Sequence, residues 1–249
     1  MSDSANEHST PDGTGRFATT HWSLVLAAGD TQSPQHREAL ETLCQKYWYP
    51  LYVYLRRRGY DTHRAEDGTQ AFFARMLEKH YLHGVEPAPG KFRSFLLTAM
   101  KRFLANEYDR AQAQKRGGDR TILSLDFENA EQQYKLEPAS DLTPEKLYEK
   151  SWALTILDRI MKQLEAELAR KGKQRFFEHL RVYLGVDADT IPYGEVAETL
   201  GITEGTARVA VHRLRKRCRE LLREEIAQTV AGEDQIDDEI RGLFSALSG

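Results

Sequence analysis

The chain has 249 residues, 40% of them hydrophobic and 29% charged, with a formal net charge of -3 and a mean hydropathy of -0.61. At roughly 150 residues per domain this makes one or two water-facing globular units, and the composition excludes a wholly disordered chain and a membrane-embedded one. The longest charge-free stretch with an apolar run, Phe17 to Gly29, falls well short of the roughly 18 apolar residues of a membrane span, and the two cysteines, Cys44 and Cys218, lie far apart without a CxxC, which excludes a disulfide framework and fits a reducing compartment.

The pattern is almost entirely helical. Met1 to Thr20 is polar and acidic with no apolar centre, so it reads as a disordered tail rather than a signal or transit peptide, and the chain is expected in the cytoplasm with no membrane partner. A short apolar run (Trp22, Leu24, Val25, Leu26) precedes a break at Gly29 to Pro34. Leu40, Leu43, Cys44, Tyr47, Leu51, Tyr54 and Leu55 then recur at helical spacing from about Arg37 to Arg58, with Pro50 expected to force a kink or a new first turn. Asp61 or Thr62 caps the next helix, which carries Ala65, Phe72, Phe73, Met76 and Leu77 and stops at the Gly84 to Gly90 loop.

From Lys91 to about Lys115, Phe92, Phe95, Leu96, Ala99, Met100, Phe103 and Leu104 line a buried side, while Ser94, Thr98, Lys101, Arg102 and Tyr108 point away. Gly117-Gly118 ends this unit, and Asp119 to Asp141 has no helical period; Ile122, Leu125 and Phe127 suit a short extended piece in a linker. Thr143 as N-cap, Pro144 at the first helical position and Glu145 in the first turn open a helix to about Arg170, closed by Lys171-Gly172-Lys173. A helix at Gln174 to Leu184, a loop to Pro192 and two closely spaced helices follow. The expected fold is all-α. A tail (1–20) precedes a helical domain (21–116), a linker (117–142), a second helical domain (143–228) and an acidic amphipathic extension (229–249).

Charge is unevenly spread. Lys91 to Arg120 holds eight basic and three acidic residues, and Glu204 to Arg223 holds seven basic and two acidic ones. Two separate basic blocks in a near-neutral chain point to a localised polyanion contact, although either block alone is also what a solvated helix face looks like. Asp126 to Arg170 is acid-rich, and Glu224 to Gly249 has seven acids against the single base Arg241.

The densest signal runs from Tyr193 to Lys216. Val196, Ala197 and Leu200 form the inner face of a short helix; Gly201 suits a left-handed turn; Thr203 caps a second helix whose buried stripe is Ala207, Val211, Leu214, Cys218 and Leu221. This is a helix-turn-helix pattern. Its free face presents Arg208, Val209, His212, Arg213 and Lys216, with Thr203 and Thr206 where backbone N–H groups and the helix dipole can meet a phosphate.

At these residues the sequence resembles the bacterial sigma factors of the extracytoplasmic-function type. Glu195-Val196-Ala197, Leu200-Gly201, Gly205-Thr206 and His212-Arg213-Leu214-Arg215 are similar to the family's region four, which implies contact with the -35 element. Ala65-Glu66-Asp67, Gln70 and Phe73 resemble its region-two helix, which implies that Glu66, Asp67, Gln70 and Phe73 bind the clamp helices of RNA polymerase. Phe92-Arg93-Ser94-Phe95-Leu96 resembles the start of the part that reads the -10 element, which assigns Lys101, Arg102, Asn106, Tyr108 and Arg110 to DNA there. Phe95 replaces a usual Trp, Arg102 a common Asn and Asn106 a common Asp, so the family's -10 sequence preference does not carry over. The implied function is promoter recognition and DNA melting in transcription initiation, with core RNA polymerase and promoter DNA as partners. Control by an anti-sigma factor or by the chain's own C-terminal extension stays open. The rival reading is a stand-alone helix-turn-helix regulator of duplex DNA.

No enzyme chemistry is expected. Gly84 to Lys91 has five residues between its glycines and Phe92 where a phosphate-binding loop needs Ser or Thr. His80 and His83 lack a third metal ligand, and Glu66 and Asp67 lie in a first helical turn, where the dipole stabilises carboxylates in any case. No catalytic residue, metal or cofactor is therefore assigned.

Overall fold

The computed structural model describes residues 23–30, 32–78, 92–113, 125–136, 141–185 and 192–248. Among them there is no strand. The helices are α1 (Ser23–Gly29), α2 (His36–Arg57), α3 (Thr62–Glu78), α4 (Phe92–Ala113), α5 (Phe127–Leu136), α6 (Pro144–Arg170), α7 (Gln174–Leu180) with a 3-10 turn at Arg181–Leu184, α8 (Tyr193–Leu200), α9 (Glu204–Ala227) and α10 (Asp234–Ser248). The expected all-α class is what forms. The N-terminal tail, Trp22, the Gly84 to Gly90 loop with His80 and His83, and Ile122 lie outside the described residues.

Local chemistry sets the helix ends. Asp61 caps α3, its Oδ1 accepting from the Arg64 amide at 2.9 Å, and Thr143 caps α6 through the Lys146 amide at 3.3 Å, with Pro144 at the first helical position. Gly172 takes the left-handed conformation (φ 67°) between α6 and α7. α2 runs unbroken through Pro50, so the residue marks neither a helix end nor a new start.

The linker expectation is corrected at Phe127–Leu136, which is helix rather than extended chain. Asp126 accepts from the Asn129 amide at the helix start, and Phe127 packs edge-on to Trp48 at 5.3 Å between ring centroids. Glu131 accepts from the Tyr52 hydroxyl and pairs with Arg56 at 3.2 Å, while the Arg56 guanidinium lies 5.0 Å over the Tyr134 ring. Most of what holds α5 comes from α2, a long-range partner that a local window does not contain.

α6, expected to open the C-terminal domain, packs against α2, and α10 packs against both α6 and α9. One apolar core joins Leu43, Tyr47, Leu51 and Leu55 of α2 to Tyr148, Trp152 and Ile156 of α6 and to Ile226, Ile236 and Leu243 further on. Charges cross the same interface. Lys46, almost fully buried, pairs with Glu225 at 3.0 Å and donates to Gln228 at 2.7 Å, and Glu225 also pairs with Arg159 at 3.3 Å. Burial pushes the Lys46 pKa down and the Glu225 carboxylate opposes that shift.

Candidate nucleic-acid interface

The geometry of α8, its turn and α9 follows from four residues. Val196 and Ala197 are buried, Gly201 is left-handed at φ 65°, and its amide donates to Glu198 O at 3.1 Å while Ile202 N reaches back to Ala197 O at 2.9 Å. Thr203 is extended, and its Oγ1 accepts from the Thr206 amide at 3.2 Å. Ala207, Val211, Leu214 and Leu221 are buried and Cys218 half-buried, the stripe expected from the sequence.

The opposite face is open. Thr203, Thr206, Arg208, His212, Arg213 and Lys216 are exposed, and Val209 is 51% exposed. Arg208 is held by Glu204 at 2.6 Å and lies 5.3 Å over the Tyr193 ring, which fixes its guanidinium at the start of α9. Thr206, Val209 and Arg213 also form one wall of a cleft whose other side is Leu168, Lys171 and Phe176.

Two cations of this basic block are structural instead. Arg217 pairs with Glu167 of α6 at 2.8 Å, and the Arg215 Nε donates to Tyr183 O at 3.0 Å. The hydrogen bond from Arg217 holds the Glu167 carboxyl below the usual glutamate range. Burial raises the thiol pKa of Cys218 and pushes that of Cys44 up to about 12, so both stay protonated near neutral pH.

In the N-terminal half, Lys101, Arg102 and Asn106 of α4 are exposed, with Lys101 paired to Glu145 of α6 at 2.8 Å. The side chains of Tyr108 and Arg110 lie outside the described residues. Phe92 and Phe103 are buried, as their spacing predicts. On α3, Asp67 is exposed and Glu66 and Gln70 are half-buried, at the three- and four-residue spacings that share a helix face. Phe73 is corrected: it is fully buried beside Phe72 and supports the helix from inside the core. Sequence reasoning missed Arg93, which is only 5% exposed despite standing in a basic block, together with its acidic partners Glu149 and Glu239. The acid-rich stretch from Asp126 to Arg170 was the available signal, but it did not say which cations those acids meet.

A family model described as ECF sigma factor matches residues 63–224, more than half of the 249-residue chain. The chain belongs to the ECF sigma factor family. The match begins in α3 and ends in α9, so it takes in the elements from α3 to α9 of this sigma factor, whereas α1, α2 and α10 lie outside it. Its family role is in transcription initiation, and the family is not one of enzymes. No curated protein and no solved structure was found to match this sigma factor. Among its described residues no helix is long and apolar enough to cross a membrane.

Proposed function

We propose that this sigma factor binds core RNA polymerase through Glu66, Asp67 and Gln70 of α3, reads the -35 element with α9 and engages the -10 element with α4, so that it directs promoter recognition and melting. The observation that carries the reading is the start of α9. A threonine-capped helix follows a left-handed glycine turn and presents Thr206, Arg208, Val209, His212, Arg213 and Lys216 on one open face. Phosphate contacts from the cap and the basic side chains fix the register of such a helix, and base-edge contacts give selectivity.

Melting has a separate physical requirement. Unstacking costs a few kcal/mol per base step, and a protein offsets it by holding exposed bases on aromatic and cationic groups, at about 1 to 3 kcal/mol per base. Lys101, Arg102, Asn106, Tyr108 and Arg110 are the groups on α4 assigned to that work. The test is co-elution of the full chain with core polymerase. The wild type is expected to co-elute, and Asp67→Ala/Gln70→Ala to lose association with its helicity intact. Co-elution of the double variant at wild-type level removes α3 from the polymerase contact, and no co-elution of the wild type favours a stand-alone regulator.

A further inference from the structure

The C-terminal half of the chain holds the start of α4 from several sides. The Phe92 amide donates to Thr229 O at 3.4 Å, and the Tyr148 hydroxyl donates to Arg93 O at 2.9 Å. The Arg93 guanidinium meets both oxygens of Glu239 on α10, at 2.7 Å from Nε and 3.4 Å from Nη2. Glu149 of α6 lies 2.8 Å from Nη1, and the Trp152 ring centroid is 4.5 Å from Cζ. Further along α4, Lys101 is paired with Glu145, four residues before Glu149 on α6. Three carboxylates from the C-terminal half therefore occupy two cations of α4.

A carboxylate on a guanidinium or ammonium makes the same charge-assisted contact that a backbone phosphate makes. A buried ion pair such as Arg93–Glu239 is also a poor source of net stability, because desolvating both charges offsets their attraction. We propose that the free chain rests in a closed form in which Glu145, Glu149 and Glu239 occupy the cations of α4 in place of promoter phosphate, and that promoter DNA acts on α4 by displacing them. The proposal rests on the reading of α4 as the -10 helix. Its third acid comes from α10, beyond the residues that the family model matches. Opening is linked to the rest of the interface, since Arg223 pairs with Asp237 of α10 and Lys46 donates to Gln228 in the segment just before it.

The test uses the full chain and a forked -10 duplex. Glu145→Gln/Glu149→Gln/Glu239→Gln is compared with Glu38→Gln/Glu128→Gln/Glu178→Gln, which removes the same charge from exposed positions elsewhere. The first variant is expected to bind the fork about tenfold more tightly than the second, a typical coupling between linked sites. Equal affinities overturn the closed form. Hydrogen exchange on the wild type does not depend on any variant folding: α10 and the first turns of α4 should lose protection when core polymerase and promoter DNA are added. If the wild type transcribes while α10 keeps its protection, the closed form falls and the sigma-factor reading stands. A wild type that neither binds core polymerase nor supports transcription removes both.

Discussion

The guanidinium of Arg217 forms a two-pronged contact with Glu167, its Nε and Nη2 lying 2.9 and 2.8 Å from the two carboxylate oxygens. It ties the helix assigned to the -35 element to α6, on the rim of the cleft that Arg213 and Val209 also line. Planar two-point pairing holds direction as well as distance, so this contact adds to the apolar packing of α9 on α6 in orienting the helix.

Glu167→Gln is expected to cost about 1 kcal/mol, toward the upper end for a pair that keeps some solvent access. The pH dependence has a definite sign. The folded-state pKa of Glu167 is depressed, so its contribution is present above the unfolded value and is lost as pH falls through the folded one. Urea midpoints should therefore converge for wild type and variant in acid and separate near neutral pH. Parallel curves across the whole range would remove the ion pair as the cause.

Thr203→Ala removes the side-chain acceptor at the start of α9 and should destabilise the fold by about 1 kcal/mol. Because Thr203 is exposed, Thr203→Asp should restore the cap and recover that stability. Its added charge would still weaken a phosphate contact at the same place. Thermal unfolding and DNA affinity, measured on both variants, separate the two roles.

Much of this arrangement was legible in the sequence because it is local. Thr143-Pro144-Glu145, Gly201 and Thr203 each carry their cap or turn within a few residues, and the stripe from Ala207 to Leu221 needs only helical spacing. Phe92 and Phe103 are core residues for the same reason. What was missed depends on distant partners. α5 is held by Trp48, Tyr52 and Arg56, and its own sequence is polar enough to pass for a linker. Arg93 reads as part of a basic block, and Lys46 gives no local signal, because their partners Glu239 and Glu225 come from the other end of the chain. Phe73 matches a family motif, but it also falls on the apolar stripe of Ala65, Phe72 and Met76, and it is buried with them.

Leu243 is fully buried on α10, and Leu243→Ala should cost about 2 to 5 kcal/mol. Phe244, the next residue, is 51% exposed, and Phe244→Ala should change stability by no more than about 0.5 kcal/mol. Denaturant midpoints of the two variants test whether α10 is a docked part of the core. Equal, small effects would show that the helix does not stay packed in solution.

Arg213→Ala should weaken binding to an upstream promoter duplex by about 1 to 3 kcal/mol if the side chain reads a base, with selectivity relaxed at that position. If it holds phosphate, the loss is nearly uniform across sequences and the salt dependence becomes shallower. Arg208→Ala tests a cation already positioned by Glu204 and Tyr193. Wild-type affinity and selectivity in both variants would remove the open face of α9 from the DNA contact.

Transcription in vitro from a library of randomised promoters, with core polymerase and the full chain, shows whether this chain directs promoter recognition. Initiation is expected to depend on the chain and to enrich two conserved blocks, an upstream one lost in Arg208→Ala/Arg213→Ala and a downstream one lost in Lys101→Ala/Arg102→Ala. Initiation that is the same with and without the chain, or a single duplex motif bound without polymerase and without any start sites, would contradict that role.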